Sequence, residues 1–98
     1  MKLDECRKEI DAIDTKILDL LNRRAGLSRK IGVIKTAAGL PVIDLHREDM
    51  VIRRIGRNST GEVSLDTAVR IYGEILAESR RIQLSIAAEI AANGEPGK

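Results

Sequence analysis

The chain has 98 residues, of which 43% are apolar and 33% charged, with a net charge of +2 and a single aromatic residue, Tyr72. That length allows one domain, and the near balance of charge without stacking aromatics argues against nucleic acid as a partner. The lone Cys6 excludes an internal disulfide and fits a reducing compartment. No run approaches the roughly 20 apolar residues of a membrane span, and Met1 to Glu5 show no signal core, so a soluble cytoplasmic protein with no membrane partner is expected.

The first predicted element is a helix from Leu3 to about Lys35. Leu3, Cys6, Ile10, Ile13, Ile17, Leu20, Leu27, Ile31 and Ile34 recur at alternating steps of three and four. That rhythm keeps one apolar stripe along one side of an α-helix, and it is broken only where Arg24 stands. Cys6 lies on the stripe and reads as a small buried hydrophobe. Gly26 and Gly32 lie inside the helix, where each costs about 1 kcal/mol relative to alanine; close backbone packing would explain them. Such a helix runs roughly 50 Å, whereas a compact domain of about 100 residues has a radius of gyration near 13 Å. It overhangs any monomer the remaining residues can build, and a second copy of the chain is the expected cover.

Gly39 and Pro41 end the first helix and open a loop. The second helix is predicted to begin near Pro41 to Ile43 and to run to about Arg57, with a turn at Asn58-Ser59-Thr60-Gly61. Ser64 is the expected N-cap of the third helix, with Asp66 favourably placed in its first turn. This helix runs from Leu65 to about Ala92, and Asn93-Gly94 closes it. The fold class is therefore all-α, with three helices in the order long, short, long. Residues 1–93 form the helical domain, and 94–98 are expected to be a disordered tail or the start of a linker.

Polar residues interrupt the apolar faces. Arg24 and Lys35 differ by about 20° around the first helix and about 16 Å along it, so both can bend toward one small ligand. Arg24 can equally be a register-setting residue in a helix pair, and both side chains can reach to solvent. Arg7, roughly 25 Å from Arg24 along the same helix, cannot share a site with it in one chain but could across an antiparallel pair. Alone, Arg7 reads as surface charge. Asp44, Arg47 and Glu48 form either an exposed ion-pair cluster or an inward-facing polar set that needs partners. Ser79 and Gln83 interrupt the third helix's stripe at i, i+4, where buried hydroxyl and amide groups must find hydrogen bonds. Arg80 and Arg81 read as surface charge, and His46 as exposed. There is no nucleophile–base pair and no metal-binding cluster. What converges is a set of donors suited to a small dianion and to stabilising charge, with no cofactor and no metal.

The run Arg7-x-x-Ile10-Asp11-x-Ile13-Asp14-x-x-Ile17-Leu18-x-Leu20-Leu21-x-x-Arg24 resembles the first helix of the all-α (AroQ-type) chorismate mutases. The resemblance continues through Lys35, Pro41-Val42-x-Asp44-x-x-Arg47-Glu48 and Ser79-x-x-x-Gln83, and it covers nearly the whole chain. It implies an intertwined helical homodimer that converts chorismate to prephenate by a Claisen rearrangement. On that resemblance, Arg24 and the partner chain's copy of Arg7 grip the substrate carboxylates, supported by Arg47 and Ser79. Lys35 and Gln83 meet the ether oxygen, and Glu48 binds the ring hydroxyl with help from the backbone near Asp44. Two other readings share the pattern. One is an isochorismate pyruvate-lyase on the same scaffold; the other is a non-catalytic helical dimerisation or regulatory module.

Overall fold

A computed structural model describes residues 2–94. Three helices account for nearly all of them: α1 (Leu3–Ala37), α2 (Leu45–Asn58) and α3 (Leu65–Asn93). No strand occurs among the described residues, and no helix there is long and apolar enough to cross a membrane. The tail expected at 94–98 lies, beyond Gly94, outside the described residues.

Local chemistry sets the helix ends. Gly39 adopts φ 68°, the left-handed conformation that glycine enters without a Cβ clash, and the Leu40 N–H returns to the Lys35 carbonyl at 2.8 Å. The second helix starts later than the sequence predicted, at Leu45 rather than Pro41–Ile43. Asp44 is its N-cap: Oδ1 accepts from the Arg47 N–H at 2.9 Å, satisfying a donor that has no partner within the helix. Ser64 caps α3 as expected, accepting from the Thr67 N–H at 3.2 Å.

The third helix packs against both α1 and α2, while the backbones of α1 and α2 stay apart. Among the described residues Val51, Leu76 and Ile86 are the buried apolar side chains. Gly32 allows α1 and α3 to approach closely: a Cβ there would lie 2.9 Å from Ile86 Cγ2 and 3.1 Å from Gln83 Cα. Close packing therefore explains Gly32 but not Gly26, around which a Cβ would meet nothing within 4 Å.

The single chain is open in shape. Its extents are 55 × 30 × 14 Å and its radius of gyration is 17.1 Å, against about 13 Å for a compact domain of this size. From Leu3 to Arg23 every residue except Cys6 is exposed, and Cys6 itself is only half-buried. The first two-thirds of the α1 stripe thus has no cover from its own chain.

Candidate active site

The last third of α1, the start of α2 and the middle of α3 enclose a cavity of about 360 Å³. From α1 it is lined by Arg24, Ser28 and Lys35; from α2 and the residues before it, by Val42, Asp44, Arg47 and Glu48; from α3, by Ser79, Arg80 and Gln83. Leu27, Ile31, Val51 and Leu76 supply its apolar wall. Seven of the eight residues singled out in the sequence therefore meet at one place. The eighth, Arg7, is exposed on α1 and does not line the cavity. A second groove, of about 470 Å³, lies on the other side of Arg24 between α1 and α3. It is larger, but apart from Arg24 and Ser79 its polar lining is Asn22, Glu74 and the Glu78–Arg81 pair, so it brings no second cation free of a carboxylate beside Arg24.

Each polar group in the cavity has a distinct state. Arg24 donates from Nη1 to Ser79 Oγ, and the buried Ser28 donates to the same oxygen at 2.9 Å. Ser79 thus accepts twice, which leaves its own proton to donate. Lys35 donates from Nζ to the Val42 carbonyl at 2.9 Å, so two of its three N–H groups remain for a ligand. Gln83 has a buried Oε1 with no hydrogen-bond partner. A buried acceptor without a partner is uncommon and calls for a donor from a ligand, whereas the amide nitrogen of Gln83 is what can donate.

The electrostatics are lopsided. Among the described residues Arg24, Lys35 and Arg47 form no ion pair with any carboxylate. Glu48 does, and its partner is Arg80: Nε donates to Oε2 at 2.9 Å and Nη2 to Oε1 at 3.1 Å. That hydrogen bonding, and then the Glu48 charge, raises the Arg80 guanidinium above its already high ordinary pKa. Assigning Arg80 to the surface is therefore wrong; only Arg81 fits that description, exposed and paired with Glu78 on its own helix. A signal for Arg80 was present in the spacing, four residues after Leu76 and three before Gln83 on the same face of α3. Ser28 lay on the Arg24–Lys35 face but carried no sign of its bond to Ser79. Asp44, Arg47 and Glu48 are not an ion-pair cluster: Asp44 caps the helix and Glu48 turns inward.

Three cations without carboxylate partners, a neutral Arg–Glu pair, a hydroxyl and an amide around a small pocket define an all-α protein built to bind a compact anion and to donate hydrogen bonds to it. Residues 6–84 match the family described as chorismate mutase type II, and the chain belongs to that family. It is 34% identical over 84 residues to a chorismate mutase of Methanocaldococcus jannaschii, covering 84% of each chain. It is 31% identical over 84 residues to a 4-amino-4-deoxychorismate mutase of Streptomyces venezuelae, covering 84% of this chain and 81% of that one. It is also 39% identical over 89 residues to a bifunctional chorismate mutase/prephenate dehydratase of Aquifex aeolicus, where the match takes in 87% of this chain but spans 25% of the relative's length.

Proposed function

We propose that the chain catalyses the rearrangement of chorismate to prephenate, acting as an intertwined homodimer with one site built on each protomer. The observation that carries this reading is the convergence of Arg24, Lys35, Arg47, Glu48, Ser79 and Gln83 on one cavity of about 360 Å³. A pericyclic step needs no base, nucleophile or cofactor. It needs the flexible enolpyruvyl arm held over the ring, which is an effect of orientation. It also needs fixed donors where negative charge develops.

Arg24 and the partner's copy of Arg7 bind the substrate carboxylates, with Arg47 supporting that end, and the free Ser79 proton adds a donor beside Arg24. Lys35, held by Val42, keeps two N–H groups for the ether oxygen, which gains negative charge as its C–O bond breaks. Gln83 offers its amide N–H to the same atom. Glu48 accepts from the ring hydroxyl through lone pairs that Arg80 does not use. The backbone around Asp44 closes that end.

The bare α1 stripe supports the dimer: Ile10, Ile13, Ile17 and Leu20 are all at least half exposed in the single chain. Two such helices side by side would bury each other's stripe. An antiparallel arrangement would bring the partner's copy of Arg7 across the roughly 25 Å that separates it from Arg24 in its own chain. Incubation with chorismate and with isochorismate, followed by product identification, tests the reaction. Prephenate from chorismate supports the reading. Salicylate and pyruvate from isochorismate with little prephenate would assign the lyase instead. A folded dimer that turns over neither would be a binding module.

A further inference from the structure

Arg80 has no part in the roles above, yet it lies on the cavity wall and holds both oxygens of Glu48. The pair joins α3 to α2 across 32 residues of sequence and is part-buried, with side chains 37% and 21% exposed. Two N–H bonds occupy one lone pair on each carboxylate oxygen; the remaining lone pairs can still accept from a ligand. We propose that Arg80 is a positioning residue that sets substrate specificity at the ring carbon bearing the hydroxyl, by neutralising Glu48 so that the site takes a neutral hydroxyl and discriminates against a cationic amine. This rests on the reading of Glu48 as the hydroxyl's acceptor.

The physical basis is charge balance. An unpaired carboxylate attracts an ammonium group more strongly than a hydroxyl, because a full charge–charge attraction is added to the hydrogen bond. Beside a fixed guanidinium that advantage is cancelled, since an ammonium held by Glu48 also stands close to Arg80. Arg24, Lys35 and Arg47, none of them paired with a carboxylate among the described residues, add to the repulsion. A hydroxyl carries no net charge and feels none of this. Nor can Arg80 relieve it by losing its proton, because arginine stays protonated in proteins and Glu48 raises its pKa further.

The probe is 4-amino-4-deoxychorismate, which has an amine in place of the hydroxyl and is protonated near neutral pH, as aliphatic amines are. kcat/KM is measured for chorismate and for this amine with the wild-type chain, Arg80→Gln and Arg80→Lys, each checked for helicity and dimer mass. The wild-type chain should prefer chorismate. Arg80→Gln should shift the ratio toward the amine by about tenfold. Arg80→Lys keeps the charge but not the two-pronged geometry; it should retain the preference for chorismate while kcat/KM falls for both substrates. An unchanged ratio in Arg80→Gln, even with both activities reduced, would mean that Arg80 only holds the helices together and would overturn the proposal. So would a wild-type preference for the amine. Failure of the wild-type chain to convert either compound would defeat the mutase reading itself and this inference with it.

Discussion

Ser28 on α1 donates to Ser79 on α3 at 2.9 Å, and Arg24 donates to the same Ser79 oxygen from one turn earlier on α1. The contact ties the helix–helix seam to a cation of the site. Ser28 is 5% exposed, so no water replaces it. Ser28→Ala removes one of the two bonds that orient Ser79. A net hydrogen bond contributes about 1 kcal/mol, so stability should fall by about that much and kcat/KM for chorismate by about fivefold. Chemical denaturation and steady-state kinetics on the same preparation check both effects.

The two glycines of α1 should respond in opposite directions. Gly32→Ala puts a methyl group 2.9 Å from the side chain of the fully buried Ile86 and 3.1 Å from the Gln83 backbone. Overpacking of this kind costs about 1–3 kcal/mol, more than the roughly 1 kcal/mol gained by replacing a helical glycine. The helices must part where Gln83 is anchored, so activity should fall together with stability. Gly26→Ala meets nothing within 4 Å and should raise stability by up to about 1 kcal/mol. Destabilisation at Gly26 would instead place a partner helix against it. Urea midpoints for both variants decide this.

Arg7 is exposed and remote from the cavity of its own chain. If it serves the partner's site, inactive Arg7→Ala and inactive Lys35→Ala proteins should complement each other when mixed and allowed to exchange. The mixed dimer then has one site with neither substitution. Random pairing makes half of the dimers mixed, so recovery should reach about a quarter of wild-type specific activity. If Arg7 acts within its own chain, every site in the mixture carries a substitution and no activity returns.

Much of the fold was legible because it is local. The three–four rhythm of Leu3 to Ile34 defines α1 from its side chains alone, and Ser64 marks the start of α3 through a short-range cap. The start of α2 was misplaced because Pro41 is acceptable in a first helical turn, and the competing signal was the side chain of Asp44, which holds the Arg47 N–H. The site was legible where polar residues broke an apolar stripe, as at Arg24, Ser79 and Gln83. At Arg80 the spacing put the side chain on the face of Leu76 and Gln83, but its role was not legible there, because its partner Glu48 lies on a different helix. No periodicity within one helix reports a pairing between two. Cys6 shows the same limit: its place on the stripe foretold burial, but in the single chain it is only half covered.

The most direct measurement is the conversion of chorismate to prephenate by the wild-type chain and by Lys35→Ala at equal concentration, with circular dichroism and dimer mass recorded for both. Lys35 sits on the cavity wall with one N–H on Val42 and two left for a ligand. Loss of a preorganised donor to a developing oxyanion costs about 100- to 1,000-fold in turnover. The account predicts prephenate from the wild-type chain and a loss of that size in Lys35→Ala, with helicity and dimer mass unchanged. Near-normal turnover by Lys35→Ala would contradict it.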